Sequence, residues 1–279
     1  MKKVITERQI ISFKRYLIEE EKSKNTVDKY MRDVRTFWAY RRGFGVDRGA
    51  VLAYKEHLGA HYSVAGANSM LAALNCFFRF CGWGDFCVKQ FKVQKNAFCS
   101  EAKELSQEEY KRLICAAEMK KNERLSLVLQ TVCGMGIRVS ELRYVTVEAV
   151  ERGEITVSCK SKTRTLFLVP ALRKKLMRYA KAHGIHSGTI FVTRTGKPLD
   201  RCNIWREMKG LCAAAGVSSE KVFPHNLRHL FARAFYSVEK DIAKLADVLG
   251  HSSINTTRIY IITTGAEHRR IMENMRLII

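Results

Sequence analysis

The 279-residue sequence predicts a mainly α-helical protein with two domains and one small β-hairpin in the second domain. Apolar residues recur at i, i+3, i+4 and i+7 along much of the chain, the spacing of helices with one buried face. Two capping-box patterns, Thr6 with Gln9 and Ser106 with Glu109, predict helix starts near the head of each half. Apolar and polar residues alternate clearly only within 153–170, which predicts β structure there.

Residues 1–98 are predicted to form a four-helix domain. The first helix follows Thr6, the second starts at Asn25 or Thr26, Asp47 caps the third and Ser63 opens the fourth. The aromatic residues lie on the apolar stripes, so we expect them to pack in the core rather than stack on bases. Basic residues lie off these stripes, which favours a DNA-binding module.

The stretch 92–104 loses the apolar periodicity, and residues 99–104 are predicted to link the two domains. The second domain is predicted to span residues 105–279. Its predicted elements after the first helix are a helix over Leu125–Cys133 that breaks at Gly134-Met135-Gly136, helices over 171–183 and 200–215, a short strand near Thr189–Thr193, and a last helix within Thr263–Ile279.

The β-hairpin is predicted from two alternating runs. Ile155, Val157 and Cys159 alternate with polar residues in the first run, and Thr165, Phe167 and Val169 alternate in the second. The basic segment 160–164 between them is predicted to be the hairpin tip. A lysine at such a tip can reach a DNA groove and donate a proton to a leaving oxygen, although a basic turn that only touches phosphate is an equal alternative without its companions.

Charge and cysteine content limit the functional classes. Lys and Arg number 49 against 27 Asp and Glu, a net charge of +22 that favours an extended polyanionic partner, above all a nucleic acid. A merely soluble basic protein or an anionic membrane surface explains the excess less well. The nine cysteines show no Cys-x-x-Cys pair, so we expect reduced thiols, no metal site of that kind and a cytoplasmic protein. The sequence contains no run of 18 apolar residues, so it predicts no membrane-spanning helix.

The stretch from His225 to Tyr260 concentrates residue types that handle a phosphodiester. His225 and Arg228 are three residues apart and share a helix face. A helix with one apolar side then ends at Gly250, which leaves His251 at its exit, and Ser253 or Asn255 caps a short helix that carries Tyr260. A guanidinium binds phosphate oxygens, an imidazole transfers protons near neutrality, and a phenol is a nucleophile.

Two further features of the sequence each have a simpler interpretation. Arg138 follows a glycine turn at the start of a predicted helix, where Glu141 three residues later can hold its guanidinium; a surface salt bridge is the alternative. His225 and His229 are four residues apart, as in a metal-binding helix face, but Asn226 stands where the zinc-protease motif has Glu. We therefore expect no metal.

These residues resemble the tyrosine recombinase (phage-type integrase) family. The family's ordered set of Arg, Lys, His-x-x-Arg, His or Trp, and Tyr is similar to Arg138, Lys162, His225, Arg228, His251 and Tyr260, with Glu141 as the supporting acid. Lys162 is preferred to Lys160 because a Ser-Lys-Thr tip eight residues before Pro170 is similar to the family's hairpin. The resemblance covers essentially the whole chain in a Xer-like two-domain layout.

The resemblance implies fold, chemistry and partners together. It implies a SAM-like core-binding domain followed by a mostly helical catalytic domain, and site-specific DNA cleavage and rejoining through a 3′-phosphotyrosyl intermediate without cofactors. Arg138 and Arg228 would clamp the scissile phosphate, Lys162 would protonate the leaving 5′ oxygen, His225 would accept the proton of Tyr260, and His251 would hydrogen-bond the phosphate. It also implies double-stranded DNA as the partner and a homotetramer on paired sites, with the tail docked on a neighbouring protomer; a last core helix is the alternative for the tail, and a need for accessory DNA-bending proteins stays open.

Several alternatives stay open at this level. Integration of a mobile element is the preferred role, and Xer-type resolution of chromosome or plasmid dimers is the alternative. A type IB topoisomerase uses similar chemistry but would relax supercoils as a monomer. A non-catalytic DNA-binding protein that keeps the fold would not need the complete residue set.

Overall fold

The computed structural model describes residues 2–92, 103–159, 162–260 and 272–275, without the side chains of Cys159 and Lys162. The chain divides into two compact units, residues 1–95 and 96–279. Each unit has its own hydrophobic core. Among the described residues, no helix is both long and apolar enough to cross a bilayer.

Over residues 2–92 the first unit has four α-helices, and a polar side chain caps the start of each. Thr6 and Gln9 form the expected capping box, and Asp47 and Ser63 cap the third and fourth helices as predicted. The second helix begins slightly earlier than predicted because Ser23 is its cap. The elements are α1 (Glu7–Glu19), α2 (Lys24–Arg41), α3 (Arg48–His61), α4 (Val64–Phe80) and a 3₁₀ turn (Gly84–Phe86).

Many aromatic side chains of this unit pack in its core, as the apolar stripes predicted, whereas Phe44 is 71% and Tyr62 46% exposed. Phe13 packs edge-on against Phe77 with ring centroids 5.2 Å apart, and Phe37 packs edge-on against Tyr54 at 4.9 Å. All four side chains are buried. Edge-to-face packing at these distances stabilises a core beyond the area that it buries.

The second unit is mostly helical, and it contains the hairpin. Ser106 and Glu109 form the predicted capping box at the start of α5. The helices are α5 (Gln107–Met119), α6 (Glu123–Met135), a 3₁₀ helix (Val139–Tyr144), α7 (Val147–Arg152), α8 (Pro170–Ala182), α9 (Arg201–Lys209), α10 (Cys212–Ala215), α11 (Pro224–Glu239), α12 (Ile242–Leu249) and α13 (Ile254–Arg258).

The hairpin consists of β1 (Glu154–Cys159) and β2 (Lys162–Phe167), paired antiparallel from Glu154 with Phe167 to Cys159 with Lys162. The predicted face of β1 is correct, since Ile155 and Val157 are buried. The predicted face of β2 is wrong: Phe167 is 73% and Val169 56% exposed, whereas Leu166 and Leu168 are buried. The run from Leu166 to Val169 is apolar at every position, so its alternation fits either face, and packing decides between them.

Other predicted elements need smaller corrections. The strand near Thr189–Thr193 is reduced to isolated bridges, Thr146 with Thr189 and Val192 with Pro198. The helix over 200–215 is broken near Gly210 into α9 and α10. Helix α6 continues through Gly134 and ends at Gly136, which has a left-handed φ of +62°. The predicted tail helix falls outside the described residues except for 272–275.

Candidate active site

Arg228 is the centre of the candidate site and its most buried charged side chain, 1% exposed. Helix α11 begins with Pro224, and Asn226 ties its first turn to the carbonyls of Lys103 and Lys221 at 2.7 and 2.8 Å. His225 precedes Arg228 by three residues on this helix. The sequence thus places a histidine and an arginine on one face of a well-anchored helix.

Two helix C-termini hold the Arg228 guanidinium. Its Nη1 donates to the carbonyl of Gly136 at the end of α6, and its Nη2 donates to the carbonyl of Leu249 at the end of α12, both at 2.6 Å. Carbonyls at a helix C-terminus have no partner within the helix and carry partial negative charge, so they suit a buried cation. Burial and the nearby Arg138 lower the pKa of Arg228 to about 10, which still leaves it charged at neutral pH.

Gly136, whose backbone is left-handed, has two roles: its carbonyl accepts from Arg228, and its lack of a side chain leaves room for the ring of Phe231. A Cβ at this position would lie 2.3 Å from Cδ1 of Phe231, which is on α11 one turn beyond Arg228. Only glycine permits this approach of α11 to the end of α6. The glycine therefore brings the carbonyl of α6 within reach of Arg228.

Arg138 and Glu141 form the second part of the site. The Glu141 carboxylate, 3% exposed, accepts from the backbone N–H of Arg138 at 2.8 Å and from Nη1 of Arg138 at 2.9 Å. It also accepts from both Nη1 and Nη2 of Arg164, at 3.3 and 2.8 Å. Burial would raise the pKa of Glu141, but the Arg138 N–H and the two guanidinium groups outweigh it and hold that pKa below its usual value. One buried carboxylate therefore positions two arginines.

His251 joins Arg228 to the short helix α13. Gly250 ends α12 in a left-handed conformation, φ +65°, and His251 follows at the helix exit, as predicted. The His251 Nε2 accepts from Nη2 of Arg228 at 2.9 Å, since arginine has no acceptor. Burial, followed by Arg228 and Arg138, lowers the pKa of His251 to about 4, so the ring is neutral. Its proton is therefore on Nδ1, which donates to Oγ1 of the buried Thr257 at 2.9 Å.

Ser253, one of the two predicted caps, begins α13, but Tyr260 lies two residues beyond this helix rather than on it, which differs from the prediction. The Tyr260 hydroxyl is 3.1 Å from Nε2 of His225. Burial, then Arg228 and Arg138, lowers the pKa of His225, so a neutral ring with an acceptor nitrogen is available to the phenol near pH 7. The ring of Tyr260 also contacts two other imidazoles, with centroids 4.2 Å from His229 and 5.3 Å from His251.

Most of the predicted site residues come together in this one region. Arg138, Glu141, His225, Arg228, His251 and Tyr260 are linked by the hydrogen bonds, ring contacts and electrostatic effects described above. Lys162 is the first residue of β2, paired with Cys159. In the described part of the chain, no cluster of three or more His, Cys, Asp or Glu side chains could hold a metal ion.

Three residues of the site were missed by the sequence analysis in these roles. Arg164 was assigned to a hairpin tip, but it is in strand β2 and bonds Glu141. His229 was considered only as a possible metal ligand, yet its ring packs against Tyr260, and burial and His225 lower its pKa to about 4. Its position four residues after His225 was a usable signal. Thr257 carried no sequence signal, because its bond to His251 depends on the turn between α12 and α13.

Comparisons with known proteins agree over nearly the whole chain. The family model described as "Phage integrase family" matches residues 103–266, and the one described as "Phage integrase, N-terminal SAM-like domain" matches residues 10–83. Tyrosine recombinase XerA of Pyrococcus furiosus is 29% identical over 99% of this chain and 96% of its own length. Tyrosine recombinase XerA of Thermococcus kodakarensis is 31% identical over 96% of this chain and 95% of its own length.

The fold is also similar to that of solved structures. A crystal structure of a lambda integrase tetramer bound to a Holliday junction superposes with a TM-score of 0.71 at 19% identity, over 93% of this chain and 77% of that one.

Proposed function

The chain belongs to the phage integrase family and is a tyrosine recombinase, an enzyme that breaks and rejoins DNA at specific sites, and we propose that Tyr260 is its nucleophile. The observation that carries this assignment is the 3.1 Å contact between the Tyr260 hydroxyl and Nε2 of His225, beside the buried Arg228. A nucleophile, a base and a cation within one network meet the geometric requirement for attack on a phosphodiester.

In the proposed cleavage step, Tyr260 is the nucleophile, His225 the general base and Lys162 the general acid. Oη of Tyr260 attacks phosphorus, and its proton passes to Nε2 of His225. The bond from phosphorus to the 5′ oxygen breaks, and that oxygen takes a proton from Lys162. The products are a 3′-phosphotyrosyl ester and a free 5′-hydroxyl. A 5′-hydroxyl from a second duplex reverses the step without ATP, because the ester conserves the energy of the broken bond.

Arg138 and Arg228 are proposed to stabilise the charge that develops on the non-bridging phosphate oxygens. Glu141 binds one Nη of Arg138, so the other donors of that guanidinium remain for phosphate. Two carbonyls hold Arg228, so its positive charge is already in position when the substrate binds. His251 is proposed to position Arg228, and through it the phosphate, since its Nε2 accepts from that guanidinium while its Nδ1 proton is bound to Thr257. Removing one such donor typically slows cleavage by about 10²–10³-fold.

We propose that the protein acts on paired double-stranded DNA sites as a homotetramer in the cytoplasm, with DNA-bending proteins as possible accessories. The net charge of +22 supports the DNA partner, and the fold shared with a lambda integrase tetramer on a Holliday junction supports the assembly. The XerA relatives favour Xer-type dimer resolution over integration of a mobile element, the role preferred from the sequence.

The deciding experiment uses nicked DNA that carries the chain's own recombination site, so that cleavage traps the covalent adduct. The wild-type protein is expected to form a DNA–protein adduct on a denaturing gel, and Tyr260→Phe is expected to form none. Tyr236→Phe is the matched control, since Tyr236 packs on the same small cluster but is not assigned to the site. An adduct that persists in Tyr260→Phe would refute the nucleophile. DNA binding without any adduct on any cognate site would favour the non-catalytic alternative. In a separate assay on a supercoiled plasmid, relaxation by the monomer would favour the topoisomerase.

A further inference from the structure

We propose that Arg164 is a positioning residue that sets the place of the hairpin strand from which Lys162 extends. The proposal rests on the function proposed above, in which Lys162 is the general acid. Arg164 is two residues after Lys162 in β2. It contacts Glu141, which also holds Arg138, and its charge acts on His251. One guanidinium thus joins the strand of the proposed acid to the residues that would hold the phosphate.

The contact between Arg164 and Glu141 is specific in geometry. Both terminal nitrogens of Arg164 reach the two carboxylate oxygens, Nη2 to Oε2 at 2.8 Å and Nη1 to Oε1 at 3.3 Å. The side chains are 13% and 3% exposed, so water screens the pair little. A planar guanidinium that binds a carboxylate through two parallel bonds fixes direction as well as distance, which a lysine cannot do.

The guanidinium of Arg164 also packs closely against the backbone of Gly250. A Cβ at Gly250 would lie 2.4 Å from Nη1 of Arg164 and 3.1 Å from its Cδ. Gly250 is also the left-handed residue that ends α12 and precedes His251. Arg164 therefore packs directly on the turn that delivers His251, and the absence of a side chain there makes the approach possible.

Among the side chains that the structure describes in β2, Arg164 is the inward-facing one nearest to the hairpin tip. Alternate residues of a strand share a face, and Arg164 continues the face on which Leu166 and Leu168 are buried. Beyond Arg164 toward the tip, the backbone pairs Ser158 with Thr163 and Cys159 with Lys162. Among the described contacts, the bond from the Tyr144 hydroxyl to the carbonyl of Ser158 and these last ladder pairs would still hold this end of the hairpin without the bond to Glu141, but they would not tie β2 to the residues around Arg138. We therefore expect loss of Arg164 to impair protonation of the leaving oxygen.

A substrate with sulfur in place of the bridging 5′ oxygen tests this inference. A thiol loses its proton near about pH 8.5, so a thiolate leaves readily without a general acid. Arg164→Gln is expected to slow single-turnover cleavage of ordinary DNA about 10- to 100-fold. This loss is at most equal to the low end of the roughly 10²–10⁴-fold acceleration that a general acid supplies. On the sulfur substrate its rate is expected to come within about threefold of the wild-type rate, on the same basis.

Four comparison variants complete the experiment. Lys162→Ala should be rescued by sulfur in the same way, and Arg138→Ala should stay slow because it acts on the phosphate. Arg164→Lys keeps the charge but not the two-point contact, so it should be slow on ordinary DNA and rescued by sulfur. Arg152→Gln, an exposed arginine at the end of α7, should match wild type.

Three outcomes would overturn the inference. Wild-type rates for Arg164→Gln on ordinary DNA would show that the contact is dispensable. Equal slowing on both substrates would show that Arg164 acts through Arg138 or through general stability. Rescue of Arg164→Gln without rescue of Lys162→Ala would separate it from the proposed acid. Each ratio compares two substrates with one preparation, so a loss of folded protein cannot imitate rescue. Failure of the wild type to form a Tyr260-dependent adduct would instead refute the proposed function.

Discussion

Substitution of Thr257 by valine tests how the site controls the proton of His251. The hydroxyl of Thr257 is buried and accepts from Nδ1 of His251 at 2.9 Å. Valine has nearly the same shape but offers no acceptor. The opposite nitrogen, Nε2, faces a donor of Arg228 at 2.9 Å, so moving the proton to that side would point two donors at each other. Neither tautomer is then satisfied in Thr257→Val.

The size of the effect follows from this loss. Leaving a buried donor without a partner costs about 1–3 kcal/mol. Because His251 has to keep Nε2 free for Arg228 while the phosphate is bound, we expect this cost to add to the cleavage barrier. At about 1.36 kcal/mol per tenfold, the cleavage rate should fall about 5- to 150-fold.

The assay is single-turnover cleavage of the nicked suicide substrate. Thr257→Ser keeps the hydroxyl and should recover most of the rate, and Thr256→Val, an exposed neighbour on α13, should be unaffected. The ¹⁵N shifts of the His251 ring should report the Nδ1-protonated tautomer in the wild type. Wild-type cleavage by folded Thr257→Val, or an Nε2-protonated ring in the wild type, would refute the reasoning.

Two further predictions concern stability. Gly136→Ala should lower the free energy of unfolding in urea by about 2–5 kcal/mol, because the alanine would be left-handed and its Cβ would lie 2.3 Å from Phe231. The control is Gly184→Ala, at φ +64° with no atom near its Cβ, which should lower that free energy by only about 1–2 kcal/mol. Equal losses in the two variants would contradict the packing at Gly136. The pKa values of His229 and His251 are lowered to about 4, below the value near 6.5 of an unfolded histidine. The unfolded chain therefore binds more protons between these values, and the free energy of unfolding should fall as pH drops from 6.5 toward 4. His229→Gln should flatten that slope, and an unchanged slope would show that the half-buried His229 is not held neutral in the folded protein.

Much of the local structure could be predicted because local residues produce it. The capping boxes at Thr6 and Ser106 and the stop at Gly250 depend on hydrogen bonds within a few residues of one another. The spacing from His225 to Arg228 likewise places both side chains on one helix face. Errors arose where local patterns fit two answers, as in the apolar run of β2, whose inward face was assigned wrongly.

The helical architecture, the positive charge and a set of residue types suited to phosphodiester chemistry all follow from the order of residues along the chain. The tertiary structure alone decided that Glu141 is shared by Arg138 and Arg164, that two helix ends hold Arg228, and that Thr257 sets the proton position on His251. These contacts join different elements, in several cases across more than twenty residues of chain. Spacing along a helix or strand specifies a face of that element, but which faces meet depends on how the whole core packs.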